Sequence, residues 1–213
     1  MTFFLEKPEM SPPNQLTLLR ILLTPVFAWL IYSDSPGMKQ AALVVYVFAA
    51  LTDWYDGWVA RRWGYVTRWG KFFDPLADKI LTSTAFVTFV LVGYADAWLV
   101  WIIVVRDIVI TLLRSLAEFR HQSIDTSKFA KTKTFIQLFV IYYFLVIYVV
   151  RSSPALAEPL APYLVGWTSR PLMDASMLIV TLLTAVTGVF YVWNNRVIVR
   201  GLFSRSVNSP ETE

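Results

Sequence analysis

The amino-acid sequence predicts an all-α integral membrane protein with six transmembrane helices and both termini in the cytoplasm. Three observations carry that expectation. The chain is 56% hydrophobic with a mean hydropathy of +0.54, and only 16% of its residues are charged, against about 25% in a soluble domain. Apolar runs of about 18 or more residues recur, the length that crosses about 30 Å of hydrocarbon. Nine tryptophans and ten tyrosines suit a chain with two interfacial belts. The competing reading, a soluble all-helical core protein, would need more charge on its outer faces.

The spans follow from the apolar runs and the turn residues that cut them. The first is predicted over residues 16–32 and closes at Ser33-Asp34-Ser35-Pro36-Gly37. The second covers 38–62 and ends in Arg61-Arg62. The third covers 71–92 and closes at Gly93-Tyr94-Ala95-Asp96. The fourth covers 97–119 and the fifth 129–150. A longer break is expected over 152–171, and the sixth span covers 172–194. The whole chain reads as one membrane domain, with residues 1–13 a cytoplasmic segment and 196–213 a cytoplasmic tail. No internal repeat and no soluble second domain is visible. The opening residues carry Glu6, Lys7, Glu9, Pro8, Pro12 and Pro13, unlike the basic-then-apolar pattern of a signal peptide.

Orientation comes from the basic residues. Arg61, Arg62, Arg68 and Lys71 follow the second span, and Arg120, Lys128, Lys131 and Lys133 follow the fourth. Arg196, Arg200 and Arg205 follow the sixth, whereas the alternate loops hold only Lys39, Arg151 and Arg170. The positive-inside rule puts the first set, and both termini, in the cytoplasm. The net charge of +4 suits anionic lipid headgroups at that face and calls for no nucleic-acid partner. Cysteine is absent, which excludes thiol catalysis, disulfides and thiolate metal sites. His121 is the single histidine and cannot build a multi-histidine site.

The chemistry concentrates in 53-DWYDGWVARRWGYVTRWGKFFDPLADK-79. Carboxylates at membrane depth are costly and mark function. Asp53, Asp56, Gly57, Ala60 and Arg61 fall at i, i+3, i+4, i+7 and i+8, one face of a helix. Gly70, Asp74 and Asp78 repeat that logic on the next span. The short basic loop between the two makes them antiparallel neighbours, so all four aspartates can face each other. Four such carboxylates in low dielectric need cations. Oxygen ligation without His or Cys selects Mg²⁺ or Mn²⁺, and two ions could share the set, as in two-metal phosphoryl transfer. Gly57, Ala60 and Gly70 leave room for close backbone approach to a ligand, or for close helix packing. Arg61 can fork onto a phosphate.

The run Asp53-x-x-Asp56-Gly57-x-x-Ala60-Arg61, then Gly70-x-x-x-Asp74-x-x-x-Asp78, resembles the full signature of the CDP-alcohol phosphatidyltransferase family, with every signature position filled. The resemblance implies an enzyme that cleaves the pyrophosphate of a CDP-linked lipid as an alcohol attacks and CMP leaves. It implies two divalent ions, Mg²⁺ or Mn²⁺, held by Asp53, Asp56, Asp74 and Asp78, with Asp78 also the general base. It implies that Asp53, Gly57, Ala60, Arg61, Thr67 and Gly70 bind the CDP-lipid, and that the protein is a homodimer.

The acceptor must be read elsewhere. Arg106 and Arg114 are eight residues apart on the fourth span, and the fifth begins Lys128-x-x-Lys131-x-Lys133-Thr134. Arg106, Arg114, Lys131 and Lys133 make a cationic pocket for a phosphorylated acceptor, although Arg106 could instead be satisfied by Asp107 and the others could be ordinary topology charges. Asn14-Gln15-Leu16-Thr17-Leu18-x-Arg20, Asp74-Pro75-Leu76-Ala77-Asp78-Lys79 and Lys131-Thr132-Lys133-Thr134 resemble the bacterial phosphatidylglycerophosphate synthase branch, departing from it at Ala130. The resemblance implies CDP-diacylglycerol and sn-glycerol 3-phosphate as substrates in a bacterial inner membrane. Inositol phosphate, phosphatidylglycerol and serine are the alternative acceptors. A divalent-cation transporter using the same aspartates is the reading from another class, but it calls for polar residues through the depth of several spans. One consequence is testable at once: Arg61→Ala should raise the KM for the CDP-lipid more than that for the acceptor. Equal effects on both would remove Arg61 from its assigned place.

Overall fold

Proline, glycine and short polar turns cut the apolar chain into eight helices in the computed structural model, which describes residues 12–63, 68–119 and 128–204. They are α1 (Pro12–Ile31), α2 (Pro36–Trp63), α3 (Arg68–Leu91), α4 (Ala97–Phe119), α5 (Lys128–Ser152), α6 (Pro154–Trp167), α7 (Arg170–Asn194) and α8 (Arg196–Ser204). No strand occurs among the described residues. The six expected spans correspond to α1–α5 and α7, with ends shifted by about one turn at most.

One expectation is corrected, and one stretch holds a helix that the sequence did not predict. The break expected over 152–171 contains α6. Pro154 starts it, where a missing N–H costs nothing. Pro159 and Pro162 each remove a ladder donor, but α6 lies at the periphery with no buried residue, so the freed carbonyls are not sealed in a core. The tail expected from 196 begins with α8. Arg196 and Arg200 drew attention to charge alone, while Ile198 packs against Ala117 of α4.

The helices pack as an antiparallel bundle. Among the described residues α1 lies against both α2 and α3, α3 against α4 and α5, and α7 against α4 and α5. The expected α2–α3 partnership falls on facing segments whose side chains lie largely outside what is described. The core is aromatic at its centre: Phe27, Tyr46, Phe86, Phe89 and Phe144 are fully buried. Phe89 and Phe144 meet edge to face at 5.1 Å, and Phe27 and Tyr46 lie 5.3 Å apart, within the range where ring quadrupoles attract.

The two ends of the bundle differ. At one end Gly93 takes a left-handed φ of 77°, which a residue with a Cβ would resist, and so ends α3 tightly. Its N–H donates to the Val90 carbonyl and the Tyr94 N–H to the Phe89 carbonyl. Arg170 then donates to the Gly93 carbonyl and pairs with Asp96 at 3.0 Å and Asp174 at 2.8 Å, clamping the start of α7 to this turn. The other end gathers the C-terminal parts of α2, α4 and α7 and the N-terminal parts of α1, α3 and α5. That end holds the charged residues.

The outward helix faces are as apolar as the inward ones. Trp29, Val44, Leu91, Trp101, Phe139, Val189 and Phe190 are all more than half exposed, and a helix apolar all round is not solvated by water on either face. Among the described residues, Thr132–Ser152 and Arg170–Asn194 are long and apolar enough to cross a membrane, and Gln15–Ile31 and Pro36–Thr52 are shorter apolar stretches. Asp74, Asp78 and Lys79 on α3, and Arg106, Asp107 and Arg114 on α4, interrupt runs that are otherwise apolar. Phe144→Ala should destabilise the protein by about 3 kcal/mol or more in a detergent unfolding titration. Phe139→Ala, on the outer face, should cost under about 0.5 kcal/mol, and equal costs would contradict the aromatic core.

Candidate active site

Uninterrupted α2 carries Asp53, Asp56, Gly57, Ala60 and Arg61 in the register expected, and α3 carries Gly70 ahead of Asp74 and Asp78. The side chains of the α2 set, the surroundings of Gly70 and the side chain of Lys131 on α5 lie outside what is described, and Thr67 lies outside the described residues altogether. The two remaining aspartates have defined neighbours. Asp74 is half-buried and accepts a hydrogen bond from the Thr17 hydroxyl of α1. Nearly three turns from the head of α3, Asp78 is about one-third exposed, with the Lys79 ammonium 3.5 Å away. The α1 motif noted in the sequence therefore reaches the acidic helix directly through Thr17. Arg20, fully buried, ties α1 to α2 by donating to the Ala49 carbonyl at 3.5 Å.

Asp74 and Asp78 offer oxygen donors alone, one helical turn apart. That donor chemistry fits a hard divalent cation. Among the described residues no three His, Cys, Asp or Glu side chains gather at one point.

Beside Asp78, a cavity of about 620 Å³ opens between α3, α4, α5 and α7. Its charged lining is Asp78, Lys79, Arg106, Asp107, Arg114 and Lys133. The structure thus brings three of the four expected acceptor-site residues, Arg106, Arg114 and Lys133, to one space with the expected base. The six charges do not cancel: four cations stand against two carboxylates, an excess of two positive charges. A low-dielectric cavity with that excess favours an anion, and a phosphate monoester carries about two negative charges at neutral pH.

Asp107 organises the wall. Its carboxylate is 2% exposed and accepts from Lys133 Nζ at 2.5 Å, Arg106 Nη1 at 3.0 Å and Gln137 Nε2 at 3.2 Å, with Lys79 Nζ at 3.5 Å. A carboxylate has about four lone-pair sites, so these four donors satisfy it fully. Arg106 reaches further, donating from Nη2 to Thr187 Oγ1 of α7 at 2.9 Å. Arg114 sits at the exposed rim.

Sequence reasoning gave no role to Lys79, Gln137, Thr187 or Tyr191. Lys79 closes a motif quoted for its aspartates, and its own contact with Asp107 spans two helices. Tyr191 lines the cavity, and its buried hydroxyl has no hydrogen-bond partner among the described residues. Nothing in the apolar pattern of α7 distinguishes it from an interfacial aromatic.

The family model for CDP-alcohol phosphatidyltransferases matches residues 10–193. Similar proteins include three named CDP-diacylglycerol–glycerol-3-phosphate 3-phosphatidyltransferase. One from Rickettsia typhi is 33% identical over 129 residues, covering 61% of this chain and 72% of the relative. One from Bacillus subtilis is 33% identical over 141 residues, covering 61% and 73%. One from Yersinia pestis (strain Pestoides F) is 36% identical over 138 residues, covering 61% and 74%.

Removing one partner from a buried ion cluster costs more than the cluster is worth. Asp107→Ala should therefore destabilise the fold by about 3–5 kcal/mol, read by thermal denaturation in detergent. Adding Lys133→Met should recover part of that loss. No loss in the single variant would show that Asp107 does not organise the wall.

Proposed function

Because the chain belongs to the CDP-alcohol phosphatidyltransferase family, we propose that it transfers the phosphatidyl group of CDP-diacylglycerol to sn-glycerol 3-phosphate and releases CMP. The observation that carries the acceptor is the cavity in which Asp78 meets Arg106, Arg114 and Lys133 with two positive charges in excess. A glycerol phosphate is small, carries the matching charge and has a free hydroxyl to present to Asp78. The names of the bacterial relatives support the same substrates.

In this reading Asp53, Asp56, Asp74 and Asp78 hold two Mg²⁺ or Mn²⁺ ions, which when bound offset the charge of the pyrophosphate. Gly57, Ala60, Arg61, Thr67 and Gly70, with Asp53, bind the CDP end of the lipid. Arg114 at the rim and Lys133 on the wall draw in the acceptor phosphate, with Lys131 nearby in sequence, and Arg106 fixes its orientation. Asp78 accepts the hydroxyl proton as the acceptor oxygen bonds to the β-phosphorus and the bond to the CMP oxygen breaks. Thr17 holds Asp74 in place beside it. The exclusion of water by the apolar bundle strengthens each of these charge contacts.

The apolar outer faces support six spans in a bacterial inner membrane, and the basic loops support a cytoplasmic site with both termini on that side. The family resemblance supports a homodimer, with membrane lipids as its surroundings.

The test is CMP release from CDP-diacylglycerol by the purified protein with Mg²⁺, comparing glycerol 3-phosphate, inositol phosphate, phosphatidylglycerol and serine. Release that depends on glycerol 3-phosphate and stops with EDTA is expected; release with another acceptor alone would replace the substrate assigned here. In the same assay Asp78→Asn should lower turnover by about a thousandfold without unfolding the protein. Arg114→Ala should raise the acceptor KM about tenfold, the scale of one charged hydrogen bond, and leave the CDP-lipid KM alone.

A further inference from the structure

Helix α7 carries no residue of the family signature, yet it determines where Arg106 can be. A Cβ built on Gly188 would lie 2.9 Å from both Cγ and Nε of Arg106 and 3.5 Å from Cδ. Contacts of 2.9 Å fall inside the van der Waals limit, so the Arg106 stem lies flush on the α7 backbone. The near atom Cγ is close to the root of the side chain, so relief would require the whole stem to rotate rather than its tip to bend. One residue earlier, Thr187 Oγ1 accepts from Nη2 at 2.9 Å. On the far side Asp107 accepts from Nη1 at 3.0 Å.

Arg106 also stands between two spaces. On one side is the acceptor cavity. On the other is a second, mostly apolar groove of about 620 Å³ between α4 and α7, lined by Ile102, Val109, Ala185, Val192 and Trp193 with Arg106 in its wall. Arg106 lines both the charged cavity and the mostly apolar groove, a boundary that suits a side chain with an apolar stem and a cationic head. Any side chain at position 188 would push the stem off α7, break the Thr187 contact and carry the guanidinium away from the position it holds in the cavity wall.

We propose that Gly188 is a positioning residue for acceptor recognition: its missing side chain lets Arg106 lie across α7 with its guanidinium anchored by Thr187 and Asp107 in the acceptor cavity. This rests on the assignment of that cavity to the acceptor phosphate. The effect on the reaction runs through Arg106 alone, so it belongs to acceptor binding and not to the CDP-lipid.

The experiment is a double-mutant cycle on the full-length protein in detergent, measuring KM for glycerol 3-phosphate, KM for CDP-diacylglycerol and kcat. The variants are Gly188→Ala, Arg106→Ala and the pair, with Thr187→Val as a second route to the same anchor. Gly188→Ala should raise the acceptor KM about tenfold, the scale of one charged hydrogen bond, while the CDP-lipid KM stays unchanged and so reports an intact fold. In the Arg106→Ala background Gly188→Ala should add nothing, because the group it acts through is gone. Thr187→Val should raise the acceptor KM in the same direction. If Gly188→Ala changes both KM values alike, or retains its effect without Arg106, Gly188 is a packing residue and the proposal is overturned. If Gly188→Ala and Thr187→Val leave the acceptor KM unchanged while Arg106→Ala raises it, the positioning role fails and the acceptor cavity stands. If Arg106→Ala itself leaves the acceptor KM unchanged, both fall.

Discussion

One buried carboxylate governs the polar end of this bundle. Asp107 accepts from Lys133 and Gln137 of α5 and from its neighbour Arg106, and pairs with Lys79 of α3. Through Arg106 and Thr187 the same network reaches α7. Four helices are thus joined by a cluster that would be intolerable in pieces, since a bare ammonium or carboxylate at this depth is strongly disfavoured. The cluster also leaves the wall cationic, because one carboxylate cannot balance three cations. The contacts that hold the four helices together also set the charge of the cavity wall, so a substitution at Asp107 changes both.

The rest of the architecture protects that end. Gly93 and the Arg170 pairs close the opposite turn, and edge-to-face aromatics fill the middle. The charged residues are left to the opposite helix ends, where they line the cavity beside Asp78. Helix α1 links the two acidic helices, with Thr17 on Asp74 and Arg20 on Ala49. Carboxylates that serve a metal need orientation as well as proximity, and the Thr17 contact orients Asp74 from a segment with no acidic residue among its described positions.

Much of this was legible in the sequence, for physical reasons that also mark the limits. The six long helices follow from apolar run length and turn residues. The helix α6 was hidden because prolines read as breakers, and they break a helix only where the freed carbonyls are sealed from other partners. The helix α8 was hidden because its arginines were read for charge and Ile198 was passed over. At the site, Asp74, Asp78, Arg114 and Lys133 were legible because charge in an apolar run needs a reason. For Asp107 only the contact with its neighbour Arg106 was legible, since Lys79, Lys133 and Gln137 lie far off in the chain. Gly188 was silent because a glycine in an apolar helix ordinarily means close packing, and the side chain it makes room for is on another helix. Pattern reveals what a residue is suited to; only the fold shows what it meets.

The central claim is that the acceptor phosphate occupies the cavity walled by the Asp107 cluster. The most direct measurement is an experimental structure of the protein with glycerol 3-phosphate bound in the presence of Mg²⁺. The phosphate is expected within hydrogen-bond distance of Arg114 and Lys133, with a hydroxyl of the glycerol directed at Asp78. Well-ordered glycerol 3-phosphate outside that cavity, with Arg106, Arg114 and Lys133 contacting only protein, would contradict the claim.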